Sequence, residues 1–367
     1  MHQMTLRLAE KNRVLYIGRQ FSIEHLIKHP QYFKFIFNAV KGIYKLKENL
    51  FVKAPFLLLP GRYYVKWIDS LNQWMMKNRI KRWAKKLGFK EPVIWCFFPN
   101  SGRLVARLNE SLFFYHCCEA FSAGSSGRKE KIIDEIESEL VKKSDLVVCT
   151  SKKIFEDKLP DNKNCFFFPN AAETSLFQKV IDERMPESEL VKNIPFPRLI
   201  HIGFFNAKVD IKLLLYLFSK HKDWHFIHVG EIMESDFKPG ELRRLKQLSN
   251  IKFIKQVPQT KVPEFIKPAD FCIIPLKKNK WTEYVRPLKL FEFIATGKPV
   301  IATDTYELKD YKDLIFLAET ETDYERIISD LISRKITNDP QKQISFALQN
   351  TWDKRYLEII SRLQDFL

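Results

Sequence analysis

The sequence predicts an α/β protein built of two doubly wound, Rossmann-like domains that face a cleft. Strands alternate with helical segments in both halves of the chain, which is typical of parallel sheets covered by helices. A polar segment with three prolines at 182–197 separates the halves, and 367 residues correspond to about two domains. Ligands of such sheets bind outside the carboxyl ends of the strands.

In the first half, apolar runs and helical periodicity define the elements. Helices are predicted at 4–12, 69–87 and 129–143, and Gly88 ends the second of them. Residues 31–47 place aromatic residues and lysines at helical spacing. Strands or extended segments are predicted at 13–18, 55–60, 92–99, 111–117, 145–151 and 163–170.

The second half repeats the alternation. Asp210 is a site residue or the N-terminal cap of the helix that follows it, and the cap is favoured. Strands are predicted at 198–203, 224–230, 251–254, 271–275 and 300–303, and helices at 210–220, 262–267, 287–296, 323–333 and 352–367.

Composition excludes several classes of protein. Apolar residues make up 45% and charged residues 29%, as in a folded globular chain. The six cysteines have no metal or C-x-x-C spacing and indicate reduced core residues of a cytoplasmic protein. The first residues lack the apolar region of a signal peptide, and no apolar run approaches the ~20 residues of a membrane span.

The positive charge is concentrated in one segment. The chain carries a net charge of +17, and residues 28–90 contain fifteen basic and two acidic side chains, a net charge of +13, mixed with aromatics. Three interpretations compete: a solvated basic face over a core, binding to anionic lipid, or binding to nucleic acid. No nucleic-acid-binding motif is present, so the lipid surface is favoured.

The stretch from Arg286 to Asp304 is the most informative. Pro287 suits the first position of a helix, Gly297 suits the left-handed position after it, and a short buried strand follows. Lys289 and Glu292 are three residues apart and share a helix face. Together with the helix N-terminus they could hold a phosphorylated sugar ligand, and the alternative is a surface ion pair on a packing helix.

Several blocks, in order and spacing, carry a resemblance to a known family. They are 91–99, 115–122, 143–151, 168–177, His201–Phe205 with Val209-Asp210, 270–275, 286–304 and Asn350-Thr-Trp-Asp353. The chain resembles glycosyltransferases of the group 1 type with the GT-B fold, in particular bacterial enzymes of teichuronic acid, capsule or exopolysaccharide synthesis. The resemblance covers nearly the whole chain.

The resemblance implies a donor site in the second domain. Glu292 matches the second glutamate of the family's paired-glutamate motif, which contacts the ribose, whereas Tyr284 stands in the place of the first. Lys289, helped by Arg286, is the expected partner of the diphosphate, because Phe204 replaces the family's arginine. The implied donor residues are Gly203, Lys208, Tyr284, Arg286, Lys289, Leu290 and Glu292. For Gly203, a tight strand-to-helix turn is the plain alternative.

The resemblance also implies an acceptor site in the first domain. Glu119 falls where the family often has an acidic residue, and His116 is the second candidate for a catalytic base. The alternatives are a capping carboxylate and a histidine at the edge of the core. Relatives begin with a strand and a loop before the helix at 4–12, so either the start codon is assigned too late or the acceptor site is built differently.

These observations combine into one expectation. Residues 1–185 form an acceptor domain with a basic, aromatic insertion at 28–90; residues 186–350 bind the nucleotide sugar; and residues 351–367 return to the first domain. The chain is expected to be a metal-independent hexosyltransferase that needs no cofactor, uses a UDP sugar, acts on a glycan or lipid-linked acceptor and lies at the inner face of the membrane. A catalytically degenerate scaffold and a basic nucleic-acid-binding protein are the alternatives.

Overall fold

The computed structural model describes residues 3–18, 21–22, 42–53, 57–61, 65–125 and 127–367. The chain divides into two compact units, Met1–Phe168 with Tyr356–Leu367, and Pro169–Arg355. The strands are β1 Val14–Ile17, β2 Phe21–Ser22, β3 Tyr44–Lys47, β4 Leu50–Lys53, β5 Leu57–Leu58, β6 Val93–Cys96, β7 Leu112–Cys117, β8 Leu146–Cys149, β9 Cys165–Phe167, β10 Arg198–Ile202, β11 His225–Val229, β12 Ile251–Ile254, β13 Phe271–Ile274, β14 Val300–Thr303 and β15 Phe316–Ala318.

The α-helices include both long surface helices and short connecting ones. They are α1 Gln3–Lys11, α2 Lys66–Lys86, α3 Gly127–Lys143, α4 Lys152–Lys158, α5 Thr174–Phe177, α6 Ile211–Lys220, α7 Glu241–Lys246, α8 Val262–Ile266, α9 Leu288–Ile294, α10 Glu321–Ile332, α11 Pro340–Gln349 and α12 Trp352–Gln364. Short 3-10 segments connect several of them, including Thr282–Tyr284 and Tyr306–Tyr311.

The first unit contains a four-stranded parallel sheet in the order β6-β7-β8-β9. Every residue of β7 and β8 is buried, as expected for central strands of a sheet that is covered on both faces. A smaller sheet has the order β1-β4-β3, and β2 pairs with β5. The last turns of α12 cluster with this unit, whereas Trp352 to Arg355 cluster with the second unit.

The second unit is a six-stranded parallel sheet in the order β12-β11-β10-β13-β14-β15. Alternate strand residues enter two apolar cores, one on each face. Helices α6, α7 and α10 contribute to one core, and α5, α8, α9 and α11 to the other. The strand order reverses beside β10, because the chain winds outwards to β12 and then returns to β13, and a ligand crevice is expected at such a point.

Most predicted elements are present, but some are placed differently and several observed elements were not predicted. Tyr44–Lys47 is an exposed strand rather than part of a helix, and residues 31–41 lie outside the described residues. Pro287 caps α9 instead of occupying its first turn. β15 and α11 were not predicted, because Phe316–Ala318 is short and the pattern at 340–349 has little apolar periodicity.

The segment predicted as a linker packs as part of the second unit. Val191 is buried in the core to which α9 contributes, and Ile194 packs against that core. The predicted boundary between residues 185 and 186 therefore lies inside the second compact unit, which begins at Pro169. Prolines in this segment shape a packed connection rather than a free one.

Two predicted local signals are confirmed. The Asp210 carboxylate accepts hydrogen bonds from the backbone N–H groups of Lys212 and Leu213, at 3.0 and 3.1 Å, so Asp210 caps α6. Gly297 has a φ of 70° after the end of α9, a conformation that favours glycine.

Candidate functional site

Two glycines lie directly after the carboxyl ends of neighbouring strands in the second unit. Gly203 follows β10 with a φ of 92°, and Gly230 follows β11. A Cβ atom on Gly230 would overlap the carbonyl oxygen of Gly203, so the two strand ends approach closely only because Gly230 has no side chain. An added Cβ atom on Gly203 would lie 3.8 Å from Nζ of Lys289, at ordinary contact distance. The Gly203 backbone and the Lys289 amine therefore lie next to each other at the end of β10.

Lys289 is held at this place by a histidine. It lies in the first turn of α9, and its Nζ is 2.6 Å from Nε2 of His201 on β10. Nδ1 of His201 is in turn 2.9 Å from Nδ1 of His228, its neighbour in register on β11. Both histidines are buried. The amine is thus fixed beside Gly203 by the sheet itself.

The pKa values of Lys289 and Glu292 are both shifted in the direction that favours the neutral form. Burial lowers the pKa of the Lys289 amine to about 7; the charge of Glu292 opposes this decrease and that of Lys208 adds to it. Burial also raises the pKa of Glu292 to about 6, against a hydrogen bond from Gln259 and the charge of Lys289. An anion placed here would stabilise the protonated amine, and the Glu292 carboxylate could accept hydrogen bonds from hydroxyl groups.

Lys208 adds a second cation to the same surroundings. Its Nζ lies 4.5 Å from the centre of the Trp281 ring, within range of a cation–π interaction. The charge of Lys208 lowers the pKa of Lys289, so the two amines lie close enough to interact electrostatically. The structure therefore brings together four of the predicted donor residues, Gly203, Lys208, Lys289 and Glu292.

Three other predicted donor residues are placed differently. Arg286 is buried, and its guanidinium donates to Glu307, Asp310 and Tyr311 at 2.7, 2.9 and 2.6 Å. These partners give Arg286 a structural role under the segment Tyr306–Tyr311, because they neutralise its charge. Leu290 is fully buried in the core. Tyr284 lies partly buried in a 3-10 turn, and the carboxylate of its neighbour Glu283 accepts a hydrogen bond from the backbone N–H of Tyr306 at 2.8 Å.

In the first unit, the two predicted catalytic residues differ sharply in exposure. Glu119 is exposed after the carboxyl end of β7. His116 is 2% exposed, and its ring lies among Trp95, Phe97 and Phe114. The indole N–H of Trp95 donates to Nδ1 of His116 at 3.2 Å. The geometry favours Glu119 for contact with a ligand and gives His116 the surroundings of a core residue.

Sequence reasoning gave no role to His201 and His228. A signal was present: His201-Ile-Gly203 and His228-Val-Gly230 repeat the same spacing at the ends of consecutive strands. In a parallel sheet, residues at equivalent places on paired strands lie side by side.

Within the described residues, no cluster of three or more His, Cys, Asp or Glu side chains could hold a metal ion.

The sequence of the second unit is similar to a known protein family. Residues 197–334 match the family model described as Glycosyl transferases group 1. A protein of Bacillus subtilis (strain 168), named as the teichuronic acid biosynthesis glycosyltransferase TuaH, is 26% identical over 223 residues. That alignment covers 58% of this chain, and the chain spans about half of the relative's length, 55%.

Solved structures share the fold. Sucrose-phosphate synthase from Thermosynechococcus elongatus has a TM-score of 0.70 at 14% identity, over 99% of this chain and 90% of that one. Anabaena HepE in complex with UDP and glucose has a TM-score of 0.65 at 13% identity, over 85% and 86%. The likeness confirms the predicted fold class, two Rossmann-like units of the GT-B type.

Proposed function

We propose that this chain, whose residues 197–334 match the family model described as Glycosyl transferases group 1, is an enzyme that moves a sugar from a nucleoside diphosphate to an acceptor. The observation that carries the proposal is the group of Lys289, Lys208 and Glu292 beside Gly203, at the carboxyl end of the sheet where the strand order reverses. Cations at this place suit a diphosphate, and a carboxylate suits sugar hydroxyls.

The chemistry required is stabilisation of the leaving nucleoside diphosphate. The departing group gains negative charge in the transition state, and fixed cations lower the energy of that state. Lys289 and Lys208 supply such charge, so a metal-independent reaction is proposed. UDP is the proposed nucleotide, supported by the UDP and glucose in the HepE complex.

A bacterial surface polysaccharide is the proposed product, supported by the name of the Bacillus subtilis relative as a teichuronic acid biosynthesis glycosyltransferase. The acceptor is then a glycan or a lipid-linked glycan. Glu119 is the proposed base for the acceptor hydroxyl, because it is exposed at a strand end and carries a carboxylate.

A membrane-surface location is proposed for α2. Trp67, Leu71 and Trp74 are exposed on one face of this helix, with the tryptophans 67% and 58% exposed. Exposed basic residues follow at Lys81, Arg82, Lys85 and Lys86. Exposed tryptophans beside basic residues suit the interface of an anionic bilayer. None of the helices in the described part of the chain is long and apolar enough to cross a membrane.

The membrane proposal is tested by co-sedimentation with vesicles. The protein should sediment with anionic vesicles, less so in high salt, and not with neutral ones. The double variant Trp67→Ala/Trp74→Ala should lose most of this binding, whereas Leu357→Ala, an exposed apolar residue on α12, should keep it. Equal sedimentation with both vesicle types, or with neither, contradicts the proposal.

The enzymatic proposal is tested by a nucleotide-sugar screen. UDP, GDP, dTDP and ADP sugars are compared by thermal shift and by hydrolysis of the donor, on the wild type and on Glu292→Ala. One class of donor should stabilise the wild type and be hydrolysed slowly. Glu292→Ala should weaken binding of that donor by about 10- to 100-fold, because a hydrogen bond to a charged group is worth roughly 1.5–3 kcal/mol. A protein that binds donors but never turns them over would instead be a degenerate scaffold.

A further inference from the structure

A chain of three nitrogen-bearing side chains crosses two strands at the proposed donor site. It runs from Nζ of Lys289 to His201 at 2.6 Å, then from His201 to His228 at 2.9 Å, and it ends at the buried Nε2 of His228. Neither histidine touches the surface, so neither can contact a donor directly. Their effect on a ligand must pass through Lys289.

The surroundings keep both imidazoles neutral. The rings of Phe205 and Phe226 lie 5.9 and 6.5 Å from His201, and those of Phe205 and Phe253 lie 5.1 and 5.8 Å from His228. Burial and the charge of Lys289 lower the pKa of both histidines, that of His228 to about 3. Each ring therefore carries one N–H, and the chain has only two consistent arrangements of protons.

A charged Lys289 amine can only donate and permits one arrangement, whereas a neutral amine can also accept and permits both. When the amine is charged, it donates to Nε2 of His201, which donates through Nδ1 to His228. When the amine is neutral, it can accept from Nε2–H of His201, and His228 then donates to His201. Both hydrogen bonds survive in either state, so the amine keeps its position whether or not it carries a proton.

We propose that His201 and His228 are positioning residues that hold Lys289 at the carboxyl end of β10 and allow it to take up one proton when a nucleoside diphosphate binds. This inference rests on the proposed function, because the donor diphosphate is the anion that drives the uptake. The proton comes from solvent and goes to the Lys289 amine, with no other bond made or broken.

The pH dependence follows from the groups that face Lys289: His201 on β10, His228 on β11, Lys208 after β10 and Glu292 on α9. The two histidines stay neutral, and Glu292, with a pKa of about 6, is ionised at pH 8. Free Lys289, with a pKa of about 7, is then mostly neutral, and a bound diphosphate raises its pKa. Affinity should fall as pH rises above 7, approaching tenfold per pH unit while one proton is taken up.

The test is calorimetric titration of UDP into the full chain at pH 8, in buffers with different ionisation enthalpies. The terminal phosphate of UDP, with a pKa of roughly 6, is already deprotonated there. We expect the wild type to take up about 0.8 protons per UDP at pH 8 and far fewer at pH 6.5, because a free pKa near 7 leaves the amine charged at the lower pH.

Variants separate positioning from general packing. His201→Leu removes the acceptor, so the amine should move into water, become charged before binding, and lose the proton uptake together with at least tenfold in affinity. His201→Gln keeps an acceptor near Nε2 and should bind UDP within about threefold of the wild type. His225→Leu, the same change at the opposite end of β11, should alter neither quantity.

The outcomes are distinct. UDP binding to the wild type with uptake below about 0.2 protons overturns the inference and leaves the proposed function intact, and this result needs no variant to fold. Wild-type affinity and uptake in a folded His201→Leu protein also overturn it. Absence of binding by UDP and by the other nucleotides of the screen overturns the proposed function and the inference with it.

Discussion

In each unit of the molecule a lysine side chain lies close to the sheet, but the two lysines have partners of different charge. Lys158 in the first unit lies 2.8 Å from a carboxylate oxygen of the buried Glu137, which also accepts hydrogen bonds from Tyr115 and Cys117. Lys289 in the second unit lies against a neutral imidazole. Burial alone would lower the pKa of Lys158, but the charge of Glu137 raises it, whereas the pKa of Lys289 is lowered.

This difference distinguishes Lys158, whose charge is compensated within the fold, from Lys289, whose charge is not. The charge of Lys158 is already compensated by Glu137, so this pair serves the packing of α3 and α4 on the sheet. Lys289 lies beside Gly203 at the end of β10, and its partner, the neutral His201, does not compensate its charge. A buried cation that lacks a bonded carboxylate gains most from an incoming anion.

The largest effect expected from this comparison is on stability. Glu137→Ala should lower the free energy of unfolding by about 3–5 kcal/mol, because it leaves the partly buried Lys158 without its carboxylate and the buried Tyr115 hydroxyl without its acceptor. The measurement is urea unfolding at pH 7. Glu139→Ala on the same helix removes only an exposed pair with Lys143 and should cost less than about 1 kcal/mol. Equal losses of stability in the two variants would contradict a structural role for the pair of Glu137 and Lys158.

The next effect is on binding rather than stability. Lys289→Ala should weaken UDP binding by about 10- to 100-fold, since a charge-assisted hydrogen bond is worth roughly 1.5–3 kcal/mol. Its free energy of unfolding should not fall, in contrast to that of Glu137→Ala, because the variant removes a charge whose burial is unfavourable. Calorimetry and urea unfolding measure both quantities. Lys252→Ala, an exposed lysine on β12, serves as the control and should change neither. Unchanged affinity in Lys289→Ala would show that the donor binds elsewhere.

A further effect concerns the pH dependence of stability. The unfolded chain binds a proton at Lys289 up to about pH 10.4, but the folded chain releases it near pH 7, so folding is penalised below pH 10 and most below pH 7. Lys289→Met should therefore be more stable than the wild type at pH 7, with the advantage shrinking towards pH 10. Unfolding curves at both pH values test this. An advantage that grows with pH would contradict the lowered pKa.

Local patterns allowed much of the fold and part of the site to be predicted from the sequence. The buried strand Val300–Thr303, the cap Asp210 and the shared face of Lys289 and Glu292 depend on residues close in sequence. Arg286 was predicted to help bind the donor, but its partners in the structure are Glu307, Asp310 and Tyr311. These residues follow more than twenty positions later, so no local sequence pattern indicates that Arg286 contacts them rather than a ligand.

The pairing of His201 with His228 needed the strand order. Their spacing to Gly203 and Gly230 is visible in the sequence, but only the parallel register of β10 and β11 makes them neighbours. The histidine contact of Lys289 also depends on where α9 packs after β13 and a 3-10 turn. These contacts join residues up to 88 positions apart, and their geometry comes from the assembled sheet.

The most direct test of the central claim, that Lys289 holds the donor diphosphate, is a crystal structure of the protein with UDP. A phosphate oxygen should lie within about 3.2 Å of Nζ of Lys289, the usual limit for such a hydrogen bond, with His201 still in contact with the amine. Phosphates that lie on another surface, or more than about 5 Å from this amine, would contradict the account.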